Sequence, residues 1–226
     1  MVQEEMPMSL EMESIEKTLS IFELIKSGGL AGQLIIALLT VLLVLALYIY
    51  FERLFTIKAA SKADPNFMNQ IRDHVVNGKI EAAKVLCKTV NSPVSRLIHK
   101  GISRIGRPLA DINSAIENAG KLEVYSLEKN VSMLATISGA APMIGFLGTV
   151  IGMILSIFEI ANSGGQIDIK LLADGLYTAM TTTVAGLVVG IVAYISYNHI
   201  VGRTNKVVYQ MEANSVEFLD LLNEPI

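Results

Sequence analysis

The sequence predicts an all-α membrane protein that crosses the bilayer three times and carries a helical domain between its first two crossings. Three observations predict it. Of 226 residues, 52% are hydrophobic and 17% charged, with a mean hydropathy of +0.50, which excludes a typical soluble enzyme. Three stretches hold no Asp, Glu, Lys, Arg or His: Ser27 to Phe51, Val131 to Phe158 and Gly175 to Asn198. The shortest, 24 residues, makes a helix of about 36 Å against a hydrocarbon core of about 30 Å. Between and beside these stretches, apolar residues recur at helical spacing between turn signals.

Taken in order, residues 1–29 form an acidic leader. Glu4, Glu5, Glu11, Glu13, Glu16 and Glu23 precede the first apolar run, the opposite of a basic signal-peptide leader, so the first span is expected to stay. Met12, Ile15, Leu19 and Phe22 recur opposite Glu11, Glu13, Glu16 and Lys17. That pattern fits both an interfacial helix on the outer leaflet and a solvated acidic segment. Residues 30–51 are the first span, with Tyr48 and Tyr50 as interface anchors and Arg53 beyond. In residues 52–130, Asp64-Pro65 and Ser92-Pro93 start helices, whereas Asn77-Gly78 and Gly106 to Pro108 interrupt them. From Leu109, the spacing Ile112, Ile116, Ala119 predicts one long helix continuing into the second span, residues 131–158. A short loop, 159–174, leads to the third span, 175–198, and a tail, 199–226.

Charge sets the orientation. Lys and Arg number two before the first span, thirteen between the first and second, one between the second and third, and two after the third. The basic segment belongs in the cytoplasm, which puts the N-terminus and the short loop outside and the C-terminus inside. A net charge of −3 excludes a nucleic-acid binder relying on bulk phosphate attraction. A single cysteine, Cys87, excludes intramolecular disulfides, and His74, His99 and His199 are too scattered for a metal site. Cys87 lies on an apolar helical stretch and reads as a buried residue, not a nucleophile; His99 reads as a helix-surface residue and His199 as an interfacial one.

Without an ionisable group, the spans have no carboxylate of their own to relay protons. They have hydroxyls and glycines instead. Ser138, Pro142, Gly145, Thr149, Gly152 and Ser156 follow at three or four residues in span two, as do Ala179, Thr183, Gly186 and Gly190 in span three. Gly148 to Gly152 and Gly186 to Gly190 are small-xxx-small pairs that permit close helix approach. Such faces serve packing alone if each hydroxyl bonds its own helix. Depth argues for more: Thr149 lies ten residues inside Glu159 and Thr183 nine inside Asp174, about 15 Å and about 13.5 Å from one surface on antiparallel helices. Level hydroxyls suit a water-filled path and an ion or carboxylate from another chain. Glu159, Asp168 and Asp174 read as solvated loop acids or as an outer mouth concentrating cations, and Asp174 also as a cap for span three.

The run Leu134-Ala135-Thr136-Ile137, then Ala141-Pro142-Met143-Ile144-Gly145-Phe146-Leu147-Gly148-Thr149-Val150-Ile151-Gly152-Met153, resembles the LATI…APxxGLxGTVxGM signature of the ExbB/TolQ/MotA proton-channel family, and Gly175 to Tyr197 resembles its last span. The three-span topology is similar to the ExbB/TolQ branch. The resemblance implies a homo-oligomeric, pentameric ring in a bacterial inner membrane. Spans two and three would line a pore holding a small single-span ExbD/TolR-like partner that carries the membrane aspartate. Thr149 and Thr183 match the family threonines facing that aspartate. Where many members have a glutamate, five residues before the span-three threonine, this chain has Thr178. With Thr181 and Thr182 adjacent, sodium as well as protons stays open as the translocated ion. No cofactor and no covalent catalysis are expected. The expected role is a stator-like channel energising a TonB-type or other periplasmic or outer-membrane process. A TolQ-like envelope-integrity or division motor and a gliding motor remain open within the family, and a non-conducting membrane scaffold outside it.

Overall fold

The computed structural model describes residues 29–61, 66–162 and 169–223, and the expected N-terminal amphipathic segment, residues 1–28, lies outside them. The described residues form seven helices and no strand: α1 (Gly29–Ala60), α2 (Phe67–Val76), α3 (Ile80–Thr89), α4 (Pro93–Ile102), α5 (Leu109–Glu128), α6 (Val131–Asn162) and α7 (Ile169–Asn223). Three stretches are long and apolar enough to cross a membrane: Ala31–Ala60, Leu109–Asn162 and Leu172–Asn223. With 55 residues, α7 has more residues than a bilayer crossing needs, and its helix includes the expected tail as far as Asn223.

The chain divides into two compact units. The first comprises the chain as far as Val41 together with Ala141–Val188; the second comprises Leu42–Ala140 and Val189–Ile226. In the second unit the short helices pack in sequence order, α2 on α3, α3 on α4 and α4 on α5. Local chemistry sets their ends. Gly78 and Gly106 adopt φ values of 70° and 93°, the left-handed region in which glycine carries no Cβ penalty. Ser92 caps α4 in a reciprocal capping box with Ser95, and Pro93 takes the first turn, where its missing N–H costs nothing. Buried Ile71, Ile98, Ile102, Ile112 and Ile116 make the core with Val207, Met211 and Phe218 of α7. Phe218 and Ile116 close on Gly101 so tightly that a Cβ there would come within 2.6 Å and 2.8 Å of them.

One expected helix is two. The stretch from Leu109 into span two is broken between α5 and α6 at Lys129–Asn130, where Asn130 adopts φ 62°. Asparagine enters this left-handed conformation more readily than most side-chain-bearing residues, so the chain turns with neither glycine nor proline. Arg53, buried at 5% exposure, stabilises the end of α5: its guanidinium donates to the Ser126 carbonyl at 3.1 Å and pairs with Glu52. A cation at a helix C-terminus meets both the unpaired carbonyls and the negative end of the dipole.

Candidate functional site

The first unit brings α6 and α7 together antiparallel along a seam of small residues. A Cβ on Gly145 would lie 2.8 Å from the Thr182 carbonyl oxygen and 3.0 Å from Gly186 Cα. One on Gly186 would lie 2.6 Å from the Ala141 carbonyl oxygen. These neighbours are backbone atoms, which have no rotamer to yield. Further along, Gly148 faces Thr182, Gly152 faces Ala179, and Gly175 faces Ser156. Backbone approaches backbone because the sequence supplies no side chain between them, the close-packing logic of membrane helices. Ser156 donates to its own helix at the Gly152 carbonyl, 2.9 Å away.

Thr149 and Thr183 meet in this seam. Their hydroxyl oxygens are directly hydrogen-bonded to each other. The Thr149 hydroxyl also reaches the Ala179 carbonyl at 3.1 Å, and the Thr183 hydroxyl reaches the Gly145 carbonyl at 3.3 Å. All three approaches run between helices. Each hydroxyl has one proton and two lone pairs, so two protons serve three approaches. Two arrangements satisfy the pair. Thr149 donates to Ala179 while Thr183 donates to Thr149, or Thr183 donates to Gly145 while Thr149 donates to Thr183. In both, every proton is engaged and free lone pairs remain. The half-buried pair therefore offers an approaching group acceptors, which suit a protonated carboxylic acid, a hydronium or a bare cation better than a carboxylate.

The other hydroxyls behave differently. Thr178 donates to the Asp174 carbonyl at 2.9 Å and packs its methyl against Gly32 of α1. Thr181 donates to the Tyr177 carbonyl at 2.8 Å. Thr182, fully buried, bonds the Thr178 and Ala179 carbonyls of its own turn at 3.1 and 2.9 Å. Thr178 and Thr182 thus form no hydroxyl bond to the Thr149–Thr183 pair. Pro142 is half-buried and Gly190 buried on their helices.

Of the three acids at the expected outer mouth, Glu159 is exposed and lies inside α6, and Asp168 falls outside the described residues. Asp174 is exposed and sits five residues into α7, which corrects its reading as a helix cap. The helix starts earlier because Lys170, Leu171, Leu172 and Ala173 are all good helix formers.

In the second unit, burial pushes the Cys87 thiol up to about 12, which keeps it protonated and inert as a nucleophile. His199 is held on both ring nitrogens. Arg203 Nε donates to Nε2 at 3.0 Å, so Nδ1 carries the proton and donates to the Tyr50 hydroxyl at 2.8 Å. Tyr48 is exposed. The roles of Arg53 at the α5 end and of Gly32 beneath Thr178 carry no signal in the sequence, since each depends on residues far apart in the chain coming together.

Comparison with known proteins places the sequence in a family. Residues 89–213, more than half of the chain and including both threonines, match the model of the MotA/TolQ/ExbB proton channel family. The chain is 27% identical over 195 residues to a putative biopolymer transport protein ExbB homolog of Methanothermobacter thermautotrophicus, covering 85% of this chain and 67% of that protein. It is 24% identical over 218 residues to the Tol-Pal system protein TolQ of Pseudomonas aeruginosa, covering 92% and 94%. It is 39% identical over 84 residues to a putative biopolymer transport protein ExbB-like 2 of Helicobacter pylori, covering 37% and 55%. The chain thus spans about two thirds of the archaeal relative and about half of the Helicobacter one. With three apolar helices and these relatives, the chain is a multi-pass membrane protein that belongs to the MotA/TolQ/ExbB proton channel family, among its ExbB and TolQ members.

Proposed function

We propose that this protein is the channel-forming subunit of an ion-driven complex in a bacterial inner membrane, acting with a small single-span partner that carries an aspartate in its span. The observation that carries the reading is the Thr149–Thr183 pair, two hydroxyls shared across a close helix crossing with unused acceptors. A carboxylate entering hydrocarbon is costly, whereas a neutral acid donating to a hydroxyl oxygen is not. The pair accepts the partner's aspartate in its protonated form and holds it poorly once ionised. Ion flow that protonates and releases that acid thereby alternates its affinity for the seam, and the alternation is converted into movement.

In this proposal several copies, five by resemblance, surround the partner. The basic region between the first two spans faces the cytoplasm, a sidedness that its thirteen Lys and Arg support. Names among the relatives point to biopolymer transport and to the Tol-Pal system as the kinds of process energised. The coupling ion is a proton, with sodium as the alternative that the threonine-rich turn at Thr178 to Thr183 leaves open. A scaffold without conduction is the rival, because the glycine seam packs α6 against α7 whether or not anything flows.

Purification from native membranes in mild detergent, with mass spectrometry of whatever stays bound, tests the proposal. A small single-span protein with one acid in its span is the expected companion. Recovery of this chain alone across several detergents removes the required carboxylate and favours the scaffold.

A further inference from the structure

Outside the spans, α3, α4 and α5 enclose a cleft of about 700 Å³ that the ion path does not use. Its charge is one-sided. Lys88 from the end of α3, and Lys100 and Arg104 from α4 and the turn after it, line the cleft, and among the described residues no carboxylate lies within ion-pairing distance of any of the three. The carboxylate that is present, Glu123 of α5, is already held by Arg96 through two bonds of 2.6 Å. Ala115 and Ala119 leave room on the α5 wall, and Asn118 adds a polar group.

His99 reports the field inside. Its titration is lowered first by desolvation and then by Lys88, Lys100 and Lys84; Lys84 is paired to Glu81 at 2.7 Å. Arg96 and Arg104, from α4 and its following turn, and Glu123, from α5, line the same cleft as His99, and Glu81 of α3 partners Lys84. The balance is positive, and Lys88, Lys100 and Arg104 are exposed along the cleft, open to an anion from solvent.

We propose that this cleft binds a phosphate oxyanion, whose charge and oxygens match the cations that Lys88, Lys100 and Arg104 place along it. Mobile lysines and an arginine fork are the common cationic phosphate binders. Both a soluble phosphate and the headgroup of an anionic lipid present this chemistry. The proposal is independent of the Thr149–Thr183 reading, because none of its residues belongs to the first unit.

The test uses the full-length protein in nanodiscs, with the imidazole resonances of His99 followed by NMR against pH and with His74 and His199 as internal references. In neutral phosphatidylcholine nanodiscs, inorganic phosphate is expected to raise the His99 midpoint by roughly half a pH unit or more. The Lys100→Ala/Arg104→Ala variant, both positions exposed, is expected to weaken that response about tenfold or more while keeping its helical signal. Response only to phosphatidylglycerol nanodiscs in phosphate-free buffer, again abolished in the variant, identifies the lipid headgroup as the source. No response to either probe, as when a neighbouring copy's carboxylate fills the cleft, or an undiminished response in the folded variant, overturns the proposal.

Discussion

A hydroxyl has one proton to give, and at Thr149 and Thr183 three acceptor positions compete for two protons. These approaches run between helices, which separates the pair from Thr178, Thr181 and Thr182, whose protons go to carbonyls of their own helix. Spacing from Glu159 and Asp174 was enough to place the pair level, because helical rise is the same everywhere. It was not enough to separate the pair from the other threonines. Whether a threonine bonds its own turn or a neighbouring helix depends on rotamer and on what lies opposite, and the residue opposite Thr178 is Gly32, 146 positions away. His99 adds a pH dependence to the stability of the fold. Its folded value lies below the ordinary 6.5, so the unfolded chain takes up a proton first as pH falls, and stability declines between that ordinary value and the lowered one. Thermal unfolding between neutral pH and pH about 5 is expected to show a Tm loss of a few degrees at most, smaller in His99→Gln. An equal loss in the variant assigns the pH dependence to other groups.

The α6–α7 seam works as an element because glycine occupies the positions where backbones touch. Gly145→Ala and Gly186→Ala each set a methyl within 3.0 Å of the opposing backbone, so the helices must separate. The expected cost is about 1–3 kcal/mol, and the Thr149–Thr183 hydrogen bond breaks even though neither threonine is changed. Thermal stability in detergent, and cross-linking of cysteines introduced across the seam, measure the two effects. Unchanged stability and cross-linking in both variants contradict this packing. Turn chemistry made the ends of the short helices legible, since Asn77-Gly78, Ser92-Pro93 and Gly106 punctuate the chain where the helices end or begin. The break at Lys129–Asn130 was not legible, because asparagine is compatible with both a helix and a left-handed turn and its neighbours decide. Arg53, 73 residues away, docks on the Ser126 carbonyl near the end of α5.

For the whole molecule, hydropathy and the positions of Lys and Arg predict three spans, a sidedness and a multi-helix domain between spans one and two, because bilayer thickness imposes a length on any spanning helix. At 55 residues, α7 is longer than any span that hydropathy marks, because helical pattern continues past the apolar stretch into the tail. Neither proline nor any described left-handed residue interrupts the helix.

The central claim is that the paired hydroxyls form part of an ion path. Its most direct measurement is ion flux into liposomes carrying this protein and its co-purified acid-bearing partner, under an imposed gradient. Three forms are compared: wild type, Thr149→Val/Thr183→Val and Thr149→Ser/Thr183→Ser. Valine keeps the shape and removes both acceptors; serine keeps the acceptors. The account predicts flux reduced about tenfold or more in the valine form, from the loss of hydrogen bonds worth about 1.5 kcal/mol or more, with the complex still assembled and flux largely retained in the serine form. Wild-type flux from the assembled valine form would contradict it and leave the two threonines as packing residues.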